Sequence, residues 1–173
     1  IFFALKGENF NGNIYAEKAL EEGCSLAVID DNNFLNSDKM ILVNDVLKAL
    51  QDLSNLHRKH FKIPFLAITG SNGKTTTKEL IHVVLSKKYN TLATIGNLNN
   101  HIGVPLTLLR LKKEHEFAII EMGANHQGEI NDLCFIAEPN FGLITNIGQA
   151  HLEGFGGIEG VKKGKGELFH YLK

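Results

Sequence analysis

Residues 69–77, with the sequence Thr-Gly-Ser-Asn-Gly-Lys-Thr-Thr-Thr, combine the residue types that bind phosphate. Gly70 and Gly73 allow the backbone to curl so that several N–H groups point at one anion. Lys74 can reach the terminal phosphates of a nucleotide, and the Thr75 hydroxyl can ligate Mg²⁺, which prefers oxygen ligands. We therefore predict a nucleotide-binding phosphate loop that consists of Gly70, Ser71, Asn72, Gly73, Lys74, Thr75 and Thr76.

This loop is shorter than the common phosphate loop, in which four residues separate the first glycine from Gly-Lys-Ser or Gly-Lys-Thr. The first-glycine position is occupied here by Ile68, so the pattern is Gly-x-x-Gly-Lys-Thr. An apolar run at 65–69 precedes the loop, and a helical pattern at 75–87 follows it. A strand, a glycine turn and a helix N-terminus in this order favour a phosphate site over an ordinary turn.

Short apolar runs bounded by turn residues predict buried parallel strands, because both faces of such strands are covered. They occupy residues 1–5, 25–29, 65–69, 117–121 and 142–147. Helical patterns occupy residues 15–22, 46–60, 75–87 and 167–172. This alternation predicts an α/β fold with a mainly parallel sheet.

The predicted domain boundary lies at residues 59–64. A basic helix end is followed there by Pro64, which cannot continue a helix and favours an extended residue before it. We therefore predict a small N-terminal α/β domain at 1–62 and a second α/β domain at 63–173. For the helix before the boundary, the spacing predicts a buried face made of Val46, Leu47, Leu50, Leu53 and Leu56.

The composition is that of a globular protein without a preference for polyanions. The chain of 173 residues is 43% hydrophobic and 21% charged, with a net charge of −1. This excludes a disordered tail and gives no electrostatic case for binding to nucleic acid or an anionic membrane. No apolar run approaches the roughly 18 residues of a membrane span. Two isolated cysteines, Cys24 and Cys134, favour reduced thiols and a cytoplasmic location.

Both ends suggest a fragment of a longer protein. Residue 1 is Ile within a predicted strand, and the chain stops at Lys173, just after the apolar stretch 167–172, which is predicted to be a helix still in progress. The alternative is a complete small protein with a processed N-terminus. We expect the fragment by itself to be inactive.

Residues 69–76 resemble the ATP-binding loop of the Mur ligases, the amide-forming enzymes of peptidoglycan assembly. Similar loops occur in folylpolyglutamate and cyanophycin synthetases. Segment 96–109 is similar to one branch of the Mur ligases, whose members join D-alanyl-D-alanine to UDP-N-acetylmuramoyl-tripeptide. The four further segments that fit the family, in the family's order, are 96–109, 121–124, 144–152 and 161–169.

The resemblance implies part of an N-terminal UDP-binding α/β domain followed by a P-loop-type central ATPase domain, incomplete at its C-terminal end. It implies a cytoplasmic ligase of peptidoglycan synthesis, and hence of cell-wall biogenesis, cell shape and cell division. The cofactors would be ATP and two Mg²⁺ ions, and the partners would be the two substrates. We expect a monomer with no nucleic-acid partner and no membrane insertion.

The resemblance also implies roles for individual residues. Glu121 would share a Mg²⁺ with Thr75, and His151 would hold a second ion. Lys165 would be carbamylated and become a carboxylate-like metal ligand, which requires a neutral amine. A direct phosphate contact, or a place in a solvated basic patch with the lysines at 162–163, remains open for Lys165. The implied catalytic residues are Lys74, Asn100, His151 and Lys165, and the implied metal ligands are Thr75, Glu121, His151 and Lys165.

Substrate contacts are implied at two places. Asn99 and Asn100 would lie near the acyl end of the substrate and the γ-phosphate, although asparagine is also typical of turns. Lys6 and Asn11 would contact the UDP-substrate, because residues 2–13 resemble the end of the UDP-binding domain. The Asp-Gly-His of the family is Asn-Gly-Asn here, so the aspartate and histidine are absent, though asparagine can still hydrogen-bond.

Two alternative functions remain. One is another ligase of the superfamily, such as a different Mur ligase or a cyanophycin-type synthetase, and segment 96–109 argues against it. The other is a non-catalytic nucleotide-binding module, and the joint presence of Glu121, His151 and Lys165 argues against that. Asn146 is predicted to be mostly structural, at the end of its strand.

Overall fold

Three short parallel strands form the sheet of the first unit of the fold. The computed structural model describes all 173 residues, which divide into two units, 1–52 and 53–173. The strands and α-helix of the first unit are β1 (Phe2–Phe3), β2 (Lys6–Gly7), β3 (Phe10–Asn11), α1 (Ala16–Glu21), β4 (Ala27–Ile29) and β5 (Met40–Leu42). The order of the parallel sheet is β1-β4-β5, and β2 and β3 form an antiparallel hairpin. Its core contains Ala16 of α1 and the whole of β4, because small and branched side chains fit closely there. Helix α2 (Val46–Lys59) crosses the division between the units.

A four-stranded parallel sheet forms the centre of the second unit. Its strands are β6 (Phe65–Thr69), β7 (Thr91–Ala93), β8 (Phe117–Glu121) and β9 (Phe141–Ile144), in the order β7-β8-β6-β9. Its helices are α3 (Lys74–Leu85), α4 (Gly103–Leu108), α5 (Glu129–Ala137), α6 (Leu152–Phe155) and α7 (Ile158–Tyr171). The predicted α/β fold with a mainly parallel sheet is confirmed.

The two inner strands of this sheet have the bounds that the sequence predicts. Strands β6 and β8 each have a neighbouring strand on both sides and are covered by helices, so nearly all their side chains are buried. The prediction for β9 is wrong at its end, since the strand stops at Ile144 and not at residue 147. Residues 145–148 leave the sheet and bond to the phosphate loop instead.

The parallel arrangement brings the functional segments to one edge of the sheet. The carboxyl ends of parallel strands lie on the same side, where open α/β sheets bind ligands. The connections that leave β6, β7, β8 and β9 at this edge contain residues 70–73, 94–102, 122–128 and 145–151. They carry most of the site residues that the sequence predicts in this unit.

The predicted buried face of α2 is correct only in its first half. Val46 and Leu50 are buried and Leu47 is half-buried, whereas Leu53 and Leu56 are 38% and 58% exposed. Arg58 takes a buried position instead, because its Nε and Nη2 donate to the Ala137 and Glu138 carbonyls that end α5, at 2.7 and 2.6 Å. A hydrogen-bonded cation therefore overrides the apolar pattern in this half of the helix.

The assignment of domains to residues 1–62 and 63–173 stays a prediction. None of the helices combines the length and apolar character that crossing a bilayer requires.

Candidate active site

The phosphate loop lies between the end of β6 and the first residue of α3. Gly70 has a φ of 140° and Gly73 a φ of 76°, a left-handed region that side chains other than glycine seldom adopt. A Cβ atom on Gly70 would also overlap Thr145 Oγ1, whereas one on Gly73 would meet open space. Both glycines are therefore needed for the backbone turn, and Gly70 also for its close approach to the end of β9.

Residues 145–148 hold the loop from one side. Asn146 Oδ1 accepts from the Asn72 N–H at 3.1 Å, and Asn146 Nδ2 donates to the Asn72 carbonyl at 3.0 Å. Thr145 Oγ1 donates to the same carbonyl at 2.6 Å, and Ser71 Oγ accepts from the Gly148 N–H at 3.0 Å. The structural role predicted for Asn146 therefore extends to positioning the loop. In the sequence, the one indication of this role is that polar residues directly follow an apolar strand.

Lys74 lies over the loop, since its Nζ donates to the carbonyls of Gly70 and Ser71 at 2.8 and 3.3 Å. Burial lowers the pKa of Lys74 from its ordinary value, and the charge of Glu121 opposes this shift. These contacts hold the ammonium group against the phosphate loop.

Glu121, the last residue of β8, is only 1% exposed, so it is not a solvated carboxylate at a strand end. Its Oε1 accepts from Thr75 Oγ1 at 3.2 Å and from Asn99 Nδ2 at 2.8 Å. Its Oε2 is buried and has no hydrogen-bond partner. Because an unsatisfied buried oxygen is costly, this atom fits a cation ligand.

A Mg²⁺ ion fits the donor set at Glu121 and Thr75. No three His, Cys, Asp or Glu side chains form a group that could enclose a metal. Mg²⁺ does not require such a group, since it usually takes one or two carboxylates and completes its shell with phosphate oxygens and water. One buried carboxylate beside a threonine hydroxyl at the start of a phosphate loop meets that requirement.

A cleft of about 270 Å³ joins several of the predicted residues. His151, the residue before α6, lines this cleft and has a left-handed φ of 52°. Asn100 lines it too, but its Oδ1 accepts from the N–H groups of Ile102 and Gly103 at 3.1 and 2.8 Å, which caps the start of α4. The other lining residues are Lys74, Asn99, His101, Gly123, Ala124, Asn125 and Glu129.

Glu129 lines the same cleft and was not predicted from the sequence. It lies in the first turn of α5 and accepts from the N–H groups of Asn125 and His126 at 2.6 and 3.2 Å. Burial raises the pKa of Glu129, but these hydrogen bonds outweigh the effect and the pKa is lowered overall. An acidic residue in a first helical turn is a common cap, so its type gave no indication of a site.

Lys165 is 2% exposed within α7, whereas Lys162 and Lys163 are exposed. It is therefore not part of a solvated patch. Its Nζ donates to the Ala124 carbonyl at 3.0 Å and lies 4.9 Å from the centre of the Phe155 ring. Burial, with repulsion from Lys74, lowers the pKa of Lys165 to about 8 from an ordinary 10.5.

The residues predicted in the first unit take part in a local network. Lys6 Nζ lies 2.8 Å from Asp30 Oδ1, and Asn11 Oδ1 accepts from the backbone N–H of Asn13 at 3.0 Å. The buried Asn13 side chain donates to Asp30 at 2.9 Å. Burial raises the pKa of Asp30, but the hydrogen bonds from Lys6 and Asn13 outweigh it and the pKa is lowered. Lys6 remains partly exposed.

Comparison with known proteins relates most of the chain to one family. The family model described as the Mur ligase middle domain matches residues 68–173. The UDP-N-acetylmuramoyl-tripeptide–D-alanyl-D-alanine ligases of Haemophilus influenzae and Bacillus subtilis are 45% and 43% identical over 99% and 100% of the chain. The chain spans 38% of the length of each of these relatives.

Solved structures agree with this relation. A crystal structure of MurF from Acinetobacter baumannii has a TM-score of 0.92 and 41% identity, covering 98% of this chain and 38% of that one. The MurF ligase from Thermotoga maritima in complex with ADP has a TM-score of 0.90 and 35% identity, covering 98% of this chain and 40% of that one.

Proposed function

The chain belongs to the Mur ligase family, and we propose that it is the nucleotide-binding part of an ATP-dependent ligase that joins D-alanyl-D-alanine to UDP-N-acetylmuramoyl-tripeptide. Relatives that carry the name of this reaction align with nearly the whole chain. The observation that carries the proposal is the Glu121 carboxylate, buried beside Thr75 at the start of the phosphate loop. The joint presence of Glu121, His151 and Lys165 argues against a non-catalytic module.

The reaction activates a carboxylate with phosphate. A terminal carboxylate oxygen of the tripeptide attacks the γ-phosphorus of ATP, an O–P bond forms, and the bond to ADP breaks. The amine of D-alanyl-D-alanine then attacks the carbonyl carbon of this acyl phosphate. The tetrahedral intermediate expels phosphate, the amine loses its proton, and a peptide bond remains. Phosphate leaves readily, whereas oxide does not.

Residues of the second unit would supply the charge stabilisation that this reaction needs. The N–H groups of the loop and Lys74 would hold the phosphates, with Thr75 and Glu121 as ligands of a Mg²⁺ ion. When bound, that ion would offset the negative charge that phosphates and substrate carboxylate bring together. His151 would hold a second ion. Asn99 and Asn100 would lie beside the reacting carboxylate. Because the Oδ1 atom of Asn100 caps α4, its Nδ2 group would be the one that contacts the substrate.

Lys165 would act as a carbamate. Its neutral amine nitrogen would bond to the carbon of CO₂ and lose a proton, which gives a carboxylate-like ligand. Burial of the side chain and its lowered pKa support this modification. The test is ¹³C NMR of the protein in ¹³CO₂-bicarbonate buffer. A carbamate signal should be lost in Lys165→Arg and retained in Lys163→Arg, and an unchanged signal in both would refute it.

Residues 1–62 would be part of the domain that binds the UDP-substrate, with residues 63–173 in the ATP-binding domain. Lys6 and Asn11 would contact the substrate, and the partly exposed Lys6 ammonium suits an anionic group. The protein would be cytoplasmic and monomeric.

The experiment is ADP formation from ATP by the full-length protein that contains this chain. ADP should form only when UDP-N-acetylmuramoyl-tripeptide and D-alanyl-D-alanine are both present, and the product mass should equal that of the joined substrates. ADP formation with a different amine would indicate another ligase of the family. Nucleotide binding without turnover would support the non-catalytic module.

A further inference from the structure

Lys78 is a fully buried lysine that the proposed chemistry does not use, with 0% exposure on α3. Lysine is almost never buried to this extent unless it is paired. Its Nζ donates to the carbonyls of Thr94 and Gly96 at 2.7 and 3.0 Å, and it lies 2.9 Å from Glu79 Oε1. It also lies 3.7 Å from Glu121 Oε2, the buried oxygen without a hydrogen-bond partner.

The lysine connects the three segments that meet at Glu121. It is part of the helix whose first turn contains Thr75. Its two carbonyl acceptors lie just after β7, in the segment that leads to Asn99, and the Thr94 hydroxyl accepts from the Glu121 N–H at 3.0 Å. A movement of any one segment would therefore break a contact with the ammonium group or with the carboxylate.

We propose that Lys78 is a positioning residue, which holds the Glu121 carboxylate in the orientation that binds Mg²⁺; this rests on the proposed function. Hydrogen bonds from Thr75 and Asn99 fix one oxygen of the carboxylate. Lys78 faces the other oxygen at a distance too long for a hydrogen bond, so it neutralises the buried charge and leaves the lone pairs of Oε2 for a metal ion. The Thr94 and Gly96 carbonyls and the Glu79 carboxylate hold the ammonium group in place.

A simple charge effect of Lys78 and a positioning effect predict opposite changes in Mg²⁺ binding, so an experiment can distinguish them. If Lys78 acted only as a nearby positive charge, its removal would strengthen Mg²⁺ binding, because like charges repel. If it only stabilised the fold, its removal would lower the melting temperature and leave Mg²⁺ binding unchanged. Positioning predicts weaker Mg²⁺ binding, and the loss of an outer partner of a metal ligand commonly costs about 10- to 100-fold in metal affinity.

The test measures ADP affinity of the full-length protein by calorimetry, with and without Mg²⁺. Lys78→Met should reduce the Mg²⁺-dependent gain in affinity by about tenfold or more, with little change in affinity for metal-free ADP. If this variant is too unstable to assay, Lys78→Gln replaces it with the same expectation, since an amide can still donate to a carbonyl. Arg58→Met is the control, because Arg58 is another buried cation that donates to backbone carbonyls away from the cleft, those of Phe61, Ala137 and Glu138.

A double variant separates positioning from general destabilisation. In a Glu121→Gln background, Lys78→Met should cause no further loss of the Mg²⁺ effect, since it acts through that carboxylate. Unchanged or tighter Mg²⁺-dependent binding in Lys78→Met would overturn the proposal, as would the same loss in Arg58→Met. If the wild-type protein bound no nucleotide at all, the proposed function itself would fail.

Discussion

The Thr75 hydroxyl donates a hydrogen bond to Glu121 Oε1 at 3.2 Å, which ties the first turn of α3 to the carboxyl end of β8. Two residues 46 positions apart in the chain thereby form one oxygen-rich site beside the phosphate loop. In the proposed function, this pair would hold the Mg²⁺ ion beside the phosphates.

Replacement of Glu121 by glutamine should abolish most of the activity without changing the shape of the side chain. We expect the rate of ADP formation to fall by about 100-fold or more, as is usual when a charge that stabilises a transition state is lost. Assays of the full-length protein at saturating Mg²⁺ measure this. Glu159→Gln, at an exposed position on α7, is the control and should retain full activity. Equal activity of the two variants would contradict the assignment.

The two glycines of the loop should differ in their response to alanine. Gly73→Ala places a Cβ in open space at a left-handed φ, at a cost of about 1–2 kcal/mol. Gly70→Ala adds an overlap with Thr145 Oγ1 and must displace the end of β9. ADP affinity from calorimetry should therefore fall much more in Gly70→Ala than in Gly73→Ala. The reverse order would show that the loop does not rest on residue 145.

Removal of the Asn146 amide should loosen the phosphate loop. Asn146→Ala loses two hydrogen bonds to Asn72, each worth about 0.5–1.5 kcal/mol. We expect the KM for ATP to rise about tenfold, while kcat changes less, since tenfold corresponds to about 1.4 kcal/mol. Steady-state kinetics at varied ATP measure both constants. An unchanged KM for ATP would mean that the segment after β9 does not order the loop.

Stability should depend on pH through Lys165. Its pKa is about 8 in the folded chain against an ordinary 10.5, so unfolding takes up a proton between these values and stability rises with pH through that window. Below about pH 8 the amine is charged in both states and its burial cost is complete, up to about 3 kcal/mol. Lys165→Met should therefore be stabilising at pH 7, and the gain should vanish by about pH 10.5.

Urea unfolding of the full-length protein in CO₂-free buffer, at several pH values, measures this difference. Lys163→Met, at an exposed position two residues away, is the control and should show no such pH-dependent gain. If the wild-type and Lys165→Met curves stay parallel from pH 7 to about 10.5, the lysine is not held in a desolvated environment.

The sequence predicts the elements that depend on their own residues. Strand β6, the loop and the start of α3 follow from an apolar run, two glycines and a helical pattern, all within one short stretch. The short strands β2, β3 and β7 were not predicted, because two or three residues carry no clear periodicity and the pairing partner decides. Helix α5 was also missed, and its ends are fixed by Glu167 and Arg58, which are distant in the chain.

The candidate site divides in the same way. The types of Lys74 and Thr75 at the start of a helix, and of Glu121 at the end of a strand, could be predicted from sequence and resemblance. The roles of Lys78 and Asn146 in orienting these residues could not, because both depend on contacts between segments that the topology brings together. In the sequence, Lys78 is one more polar position on an amphipathic helix.

Isotope transfer tests the central claim, that this site activates a carboxylate through an acyl phosphate. The full-length protein would be given ATP, D-alanyl-D-alanine and UDP-N-acetylmuramoyl-tripeptide labelled with ¹⁸O in its terminal carboxylate. The acyl phosphate carries one carboxylate oxygen to phosphorus, so mass spectrometry should find one ¹⁸O in each released phosphate. Formation of the joined product together with unlabelled phosphate would contradict the account.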